Sequence, residues 1–263
     1  SPSVQEPIQH ETTTHLDQTL PEKQERPSFA PLKKDFTVLV YAAGVNNLGQ
    51  YLPVTLMQME AVGGSSNFNL VAQVDKLDEY QCKDKWLYKK YVDWARETGY
   101  PPLNVLDTPQ KRPHEENSSI IRIEAGNGCI HFHEALPKTV TNASGTRTSL
   151  YEFLAWGIKK FPADNYVLVI WNHGSGYLEA PQTTWNNSPE VKNPEGWPYE
   201  KTRGIAFNET QHVYLSNQYL TETLDLACTN LLGGKKFAIL GLDACLMSMA
   251  EYCALLEPYA HYL

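Results

Sequence analysis

The sequence has few of the features that mark a nucleic-acid-binding or membrane protein. Its 22 basic residues are outnumbered by 30 acidic ones, the net charge is −8, and no Lys/Arg-rich run occurs. A nucleic acid is therefore not expected as a partner, because clustered positive charge is what binds a phosphate backbone. The longest apolar runs, 166–171 and 237–242, fall far short of the roughly 20 residues that cross a bilayer. We therefore expect no membrane span.

Cysteine is also sparse, and its spacing excludes the common metal and redox motifs. The chain has five: Cys82, Cys129, Cys228, Cys245 and Cys253. They form no CxxC pair, and an odd number leaves at least one thiol unpaired if the others are bridged. His131 and His133 would share one face of a strand, as two zinc ligands do, but no third ligand is evident. We therefore expect a surface histidine pair and no metal site.

The composition divides the chain into two parts. Residues 1–34 are rich in Gln, Glu, Thr and Pro and have no helical or strand period, which predicts a disordered leader or pro-segment. Residues 35–263 predict one folded domain. It opens with an apolar, β-branched strand at 36–43 and continues with a helix within 48–62 and a strand at 68–74. Between 76 and 136, only short strands at 86–92 and 120–124 are predicted.

The second half of the domain alternates more regularly. Ser149 followed by Glu152 is a capping-box pattern, which predicts a helix at 150–161. The remaining predicted elements are strands at 166–171, 204–207, 213–215 and 237–242, a helix at 218–231 capped by Ser216, and a helix at 246–256. This alternation predicts an α/β fold with a mostly parallel central sheet and helices on both faces.

Two reactive side chains follow strands of this sheet. His173 comes after the strand at 166–171 and precedes a glycine-rich turn, and Cys245 comes after the strand at 237–242. Ligands bind at the carboxyl ends of such strands, so both groups are expected at one rim. The predicted helix at 246–256 would stabilise a Cys245 thiolate through its positive end. His173 would be its base, and the N–H groups of Gly174 and Cys245 would donate to an oxyanion.

Each of these residues also has an ordinary interpretation when it is considered alone. A histidine at a strand end is more often a surface or core residue, and a cysteine before a helix is more often inert packing. The pattern GxSxG of serine hydrolases is missing around Ser175, which weakens a serine-hydrolase interpretation. Residue spacing alone leaves the choice between catalysis and packing open.

Two longer motifs resemble those of the clostripain-like cysteine peptidases. Residues 165–176, NYVLVIWNHGSG, resemble the histidine motif of that family, and residues 242–251, LDACLMSMAE, resemble its cysteine motif. Weaker matches at 40–48 with 59–60, at 149–162 and at 204–220 lie in the expected order. The resemblance implies a caspase-like αβα sandwich, shared with gingipains, legumains and caspases. It also implies cleavage after Arg or Lys by a dyad of the nucleophile Cys245 and the general base and acid His173.

The resemblance makes Asp243 the acidic residue of the pocket for the basic side chain. Strand alternation agrees, because positions 243 and 245 point the same way if the strand persists, and a carboxylate gives charge-assisted hydrogen bonds to Arg or Lys. The alternative role for Asp243 is an N-cap before Leu246. The alternative function is a non-catalytic module that binds basic peptides through Asp243, and a third hypothesis is another thiol hydrolase, such as an amidase.

The resemblance also predicts processing, partners and location. The expected substrates are proteins or peptides with Arg or Lys, and the protein is expected to be secreted or periplasmic in a bacterium and activated by self-cleavage after a basic residue. Candidate cleavage sites are Lys192, Lys201, Arg203 and Arg147, with Lys23 or Arg26 as further alternatives. Family members continue beyond the position of Leu263. The C-terminal remainder of the same precursor, missing here or on a separate chain, is therefore expected to pair with the open sheet edge.

Three features of the sequence remain open. Family members usually carry an Asp after the first strand, where this chain has the turn 43–47, AGVNN. The acidic cluster Asp75, Asp78 and Glu79 leaves Ca²⁺ open as a cofactor, as clostripain requires calcium, although the lack of EF-hand spacing favours a solvated turn. The aromatic stretch 86–94 would suit sugar binding, but cross-strand packing is the default.

Overall fold

The structure is a computed structural model that describes residues 32–75, 119–126, 128–137, 139, 141–177, 204–208, 211 and 213–263. Several predictions therefore lie outside the described residues. They are the leader up to residue 31, the strand at 86–92 and aromatic stretch 86–94, Cys82, Asp78, Glu79, and the cleavage candidates Lys23, Arg26, Lys192, Lys201 and Arg203.

One mixed sheet forms the centre of the described chain. Its strands are β1 (Lys34–Ala43), β2 (Phe68–Asp75), β3 (Ser119–Gly126), β4 (Cys129–Pro137), β5 (Ala163–Trp171), β8 (Phe237–Asp243) and β9 (Ala260–Tyr262). They lie in the order β4-β3-β2-β1-β5-β8-β9. The pairs from β2 to β9 are parallel, and β3 and β4 are antiparallel. A separate hairpin contains β6 (Gly204–Asn208) and β7 (Val213–Ser216).

Helices cover both faces of the sheet, as the alternation of elements predicts. They are α1 (Leu52–Val62), α2 (Arg147–Lys160), α3 (Asn217–Leu226) and α4 (Ala250–Leu256). A 3₁₀ turn (Asn47–Tyr51) precedes α1, and a π-helical turn (Ala227–Leu231) follows α3. The α/β fold class predicted from the sequence is therefore confirmed.

Two hydrophobic clusters fill the spaces between helices and sheet. Leu39, Leu168 and Leu240 point to one face and pack with residues of α2, α3 and α4. Val40 and Ala72 point to the other face and pack with residues of α1. Alternate residues of a strand point to opposite faces, so β1 contributes to both clusters. Each fully buried Leu or Phe side chain stabilises the fold by about 1.5–3 kcal/mol, which explains why the central strands are almost continuously apolar.

Two predicted helix starts are wrong. Helix α2 begins at Arg147 with Thr146 as its N-cap, whose hydroxyl accepts a hydrogen bond from the Ser149 N–H at 3.1 Å. Ser149 is therefore not a cap; it is buried, and its hydroxyl accepts from Gln73 Nε2 at 3.0 Å. Helix α4 begins at Ala250 rather than Leu246, because Leu246 has φ +60° and cannot continue a right-handed helix.

Strand β4 was not among the strands predicted from the sequence, which considered an extended segment only at His131 and His133. It contains only partly buried and exposed residues, with Phe132 48% exposed, so it lacks the continuous apolar run that identifies the central strands. His133 Nε2 lies 3.2 Å from Glu124 Oε2, and the His133 ring meets those of Trp156 and Phe161 edge-on. His131 Nε2 lies 3.3 Å from Cys129 Sγ.

The cap of α2 can be tested by substitution. Thr146→Ala removes the hydroxyl that accepts from Ser149 N–H and donates to Thr141 O at 2.8 Å. We expect the free energy of unfolding to fall by about 1 kcal/mol, the usual cost of a lost N-cap. Thr148→Ala, inside the first turn, is the matched control and should cost clearly less. Urea unfolding of both variants measures the difference, and an equal cost would contradict the assignment of Thr146.

Candidate active site

Adjacent strands deliver the two predicted catalytic residues to the same end of the sheet. In the parallel pair β5 and β8, Trp171 lies beside Asp243. The Asn172 N–H donates to the Asp243 carbonyl at 3.3 Å, which extends the pairing one step further. His173 and Cys245 each follow two residues after this paired position. Neighbouring strands are about 4.8 Å apart, so the two residues leave the sheet side by side.

The backbone beyond the strands is in close contact as well. A Cβ added at Gly174 would lie 2.5 Å from the Cys245 carbonyl oxygen and 2.6 Å from Met247 Cγ. Glycine is required at this position, since real Cβ atoms do not approach other heavy atoms so closely. Gly174 also bridges Ile205 of β6 in an antiparallel contact. The predicted role of the Gly174 and Cys245 N–H groups toward an oxyanion remains a prediction.

Cys245 sits in a tight turn rather than at a helix end. The Ala244 N–H donates to Leu242 O at 2.9 Å, and Leu246 adopts a left-handed conformation directly after the cysteine. Helix α4 starts five residues after Cys245, so the expected stabilisation of a thiolate by that helix is wrong. Cys245 is an exposed free thiol, and Cys253 is also free. Within the described residues, Cys245 is therefore not bridged to Cys253.

The imidazole of His173 contacts a side chain that sequence reasoning did not assign to the site. His173 Nε2 lies 2.5 Å from Oδ1 of Asn47, at the start of the 3₁₀ turn. Asn47 belongs to the turn after β1, where polar residues at a strand's carboxyl end could have indicated a site residue. The sequence alone could not show that the turn faces His173, because the two residues are far apart in the chain.

Asp243 and Cys245 line one cleft at this edge of the sheet. The cleft has a volume of about 510 Å³, and its other lining residues include Tyr51, Val54, Thr55 and Trp171. Strand β8 ends at Asp243, so the alternation of side chains along a strand does not extend to Cys245. The two residues nevertheless line the same cleft. The alternative role of Asp243 as a helix N-cap is wrong, because Met249 is the N-cap residue of α4. Asp243 is exposed.

Other predicted residues lie elsewhere. Asp75 is 1% exposed, and its Oδ2 accepts from Ser144 N at 2.8 Å and from Asn208 Nδ2 at 3.4 Å. The expectation of a solvated turn is therefore wrong for Asp75. Among the described ranges, no group of three His, Cys, Asp or Glu is arranged to hold a metal ion. Arg147 opens α2 and pairs with Glu222 at 3.1 Å; its cleavage remains a prediction.

A free thiol and an imidazole at the ends of adjacent parallel strands define a candidate cysteine hydrolase. The model of the clostripain family, peptidase C11, matches residues 40–263. Clostripain of Hathewaya histolytica is 25% identical over 252 residues, covering 94% of this chain and 41% of that protein. The chain therefore belongs to the clostripain family.

Two solved structures have a similar fold. One is a secreted C11 cysteine protease of Bacteroides thetaiotaomicron, iotapain, with TM-score 0.51 and 15% identity over 88% of this chain and 51% of that one. The other is an inactive zymogen C11 protease of Parabacteroides distasonis, with TM-score 0.50 and 19% identity over 88% of this chain and 47% of that one. The chain thus spans about half the length of these structures and less than half of the curated relative.

The close approach at Gly174 gives a testable prediction. Gly174→Ala places a methyl group against the Cys245 carbonyl and Met247, and overpacking of this kind costs about 1–3 kcal/mol. We expect a lower melting temperature and a marked loss of reaction at Cys245 with iodoacetamide. Gly241→Ala in β8 is the control, because its added Cβ would meet Val169 at an ordinary 3.5 Å. Equal behaviour of the two variants would show that the backbones are not in contact at Gly174.

Proposed function

We propose that the protein is a cysteine endopeptidase that cleaves peptide bonds after Arg or Lys with His173 and Cys245. The main support is the paired position of Trp171 and Asp243, which brings the histidine and the cysteine to adjacent places at one sheet edge. Membership of the clostripain family agrees with this reaction. A nucleophile and its base must lie within reach of one another, and the pairing of Trp171 with Asp243 at adjacent strand ends supports such an arrangement.

The reaction would proceed in two halves. His173 takes the Cys245 thiol proton, and the thiolate attacks the carbonyl carbon of the scissile bond, with its oxygen stabilised by backbone N–H groups. His173 then gives the proton to the leaving amine as the C–N bond breaks and a thioester forms. In the second half, His173 takes a proton from water, hydroxide attacks the thioester, and the acid product leaves as the thiol regains its proton.

The cleft suggests why the substrate's side chain is basic. Asp243 supplies a negative charge beside the nucleophile, and Tyr51 and Trp171 supply aromatic surface along the aliphatic part of a Lys or Arg side chain. A cation over an aromatic face is attracted by the ring, and a carboxylate binds a guanidinium through two hydrogen bonds. The net charge of −8 favours approach of a cationic peptide.

The edge of the sheet at β9 is a surface that a further segment of the precursor could cover. Ile239 is 41% exposed and Tyr262 is 72% exposed, and the two residues are paired on β8 and β9 at the edge of the described sheet. Such exposed apolar residues on an edge favour coverage by more protein. We propose that a C-terminal remainder of the same precursor covers them and completes the cleft.

Two remaining predictions concern the location of the protein and a Ca²⁺ cofactor. No helix in the part of the chain that the structure describes has the length and apolarity to cross a bilayer. The Bacteroides relative is described as secreted, and we propose that this protein is secreted too. Of the acidic cluster considered for Ca²⁺, Asp75 accepts hydrogen bonds from Ser144 N and Asn208 Nδ2, and Asp78 and Glu79 lie outside the described residues.

A substrate panel tests the reaction and the role of Asp243. We expect the matured protein to cleave fluorogenic peptides that end in Arg or Lys, and Cys245→Ala or thiol alkylation to abolish cleavage. Asp243→Asn should lower kcat/KM for these peptides by about 10- to 100-fold, the effect of losing one charged hydrogen-bond partner.

Glu251→Gln, which removes an exposed carboxylate on α4, is the control for general charge effects and should leave the rates unchanged. Cleavage after Asp would overturn the assignment of the pocket. Binding of basic peptides without any cleavage by the matured protein would favour the non-catalytic alternative.

Self-cleavage is a second part of the proposal. The candidate sites Lys192, Lys201 and Arg203 precede β6, whose first residue, Gly204, is fixed to Ser175 by hydrogen bonds of 3.0 and 3.1 Å. We expect N-terminal sequencing to find a new terminus after one of these residues, after Arg147, or after Lys23 or Arg26, in the wild type only. The same fragments in Cys245→Ala would show that another protease makes the cut.

A further inference from the structure

The contact between Asn47 and His173 assigns a role to a residue outside the dyad. We propose that Asn47 is a positioning residue whose side-chain oxygen accepts the Nε2 proton of His173 and so directs Nδ1 toward the thiol of Cys245. The observed distance is 2.5 Å between Asn47 Oδ1 and His173 Nε2. This inference rests on the proposed peptidase reaction, because it concerns how His173 acts as a base in it.

The chemistry of the two groups determines the tautomer. An amide oxygen only accepts hydrogen bonds, so the ring nitrogen that faces it must carry a proton. The hydrogen bond at one ring nitrogen decides which nitrogen of a neutral imidazole acts as the base. With the proton on Nε2, the lone pair that accepts a proton is on Nδ1. A base held by a third group is the general arrangement for activating a nucleophile.

Asn47 is held in place by its neighbour Asn46. Asn46 is 1% exposed, and its Nδ2 donates to Phe207 O at 2.7 Å and to Ala43 O at 3.3 Å. Its Oδ1 accepts from Leu48 N at 3.0 Å, which caps the 3₁₀ turn. The residue before Asn47 is thus fixed by three hydrogen bonds, which hold the backbone from which the Asn47 side chain extends.

His173 is held by a matching neighbour, Asn172. Asn172 is 2% exposed; its Oδ1 accepts from Phe207 N at 2.7 Å, and its Nδ2 also donates to Ala43 O. Asn46 and Asn172 therefore share the same two partners, the carbonyl of Ala43 and the backbone of Phe207. This shared anchorage fixes the separation between the residues that follow them, Asn47 and His173.

The contact between Asn47 and His173 is exposed. An effect on the orientation of His173 can therefore be measured apart from an effect on the stability of the fold. Asn47 is exposed, and exposed substitutions usually change stability little. Loss of its oxygen should therefore leave the fold intact and impair the orientation of His173. Two other titratable groups, Cys245 and Asp243, lie at the same strand ends, and both are retained in the variants that test the idea.

The experiment compares Asn47→Leu, Asn47→Asp and Asn165→Ala. We expect Asn47→Leu to lower kcat for Arg peptides about two- to tenfold, the effect of one hydrogen bond, with little change in KM. Asn47→Asp keeps an acceptor and should restore the rate, and its carboxylate should move the alkaline limb of the pH–rate profile to higher pH by stabilising imidazolium. Asn165→Ala, which removes an exposed hydrogen bond to Asp35 O at 3.2 Å, should resemble the wild type.

Alkylation of Cys245 by iodoacetamide, followed residue by residue with mass spectrometry, gives a readout that needs no peptide cleavage. Asn47→Leu should slow alkylation at Cys245 and leave it unchanged at Cys253, an exposed thiol outside the cleft lining. The inference would be overturned if Cys245 of Asn47→Leu were alkylated at the wild-type rate. It would also be overturned if Asn47→Asp were as slow as Asn47→Leu. If wild-type protein cleaves no basic peptide, the peptidase proposal fails, while the alkylation result still decides the role of Asn47.

Discussion

The candidate site depends on the in-register parallel pairing of β5 with β8. Because Trp171 lies beside Asp243, the next residues of both strands reach the same level, and His173 and Cys245 leave the sheet as neighbours. A shift of either strand by one residue would also turn its side chains to the opposite face. The buried residues Leu168, Ile170 and Leu240 fix the register by packing against α2, α3 and α4. The hydrophobic core thus determines the geometry of the candidate site.

Asparagine side chains connect this core to the turns that carry the site. Asn46 and Asn172 are buried and hydrogen-bonded to Ala43 O and to the backbone of Phe207. A buried amide left without partners would cost free energy, so these contacts define one arrangement of the turns. Strand β6 contributes Phe207 and also contacts Gly174 through Ile205. The hairpin outside the main sheet is therefore part of what positions the histidine.

The sequence was informative where a local pattern dominates. The apolar, β-branched runs predicted β1, β2, β5 and β8, and the two motifs around His173 and Cys245 identified the family that the comparison confirmed. The patterns failed where tertiary contacts decide. The left-handed Leu246 moves the start of α4, and the half-exposed β4 has no continuous apolar run. The contact of Asn47 with His173 joins turns after different strands, which no local pattern reports.

The most direct test of the central claim is a crystal structure of the wild-type chain in which the positions of the Cys245 thiol and the His173 ring are measured. We expect both groups at the same edge of the sheet, with His173 Nε2 on the Asn47 oxygen and Nδ1 turned toward Sγ of Cys245. The Sγ–Nδ1 distance should be close to hydrogen-bond reach, although free enzymes often lengthen it. A thiol and an imidazole on opposite faces of the sheet, or Cys245 joined in a disulfide to Cys253, would contradict it.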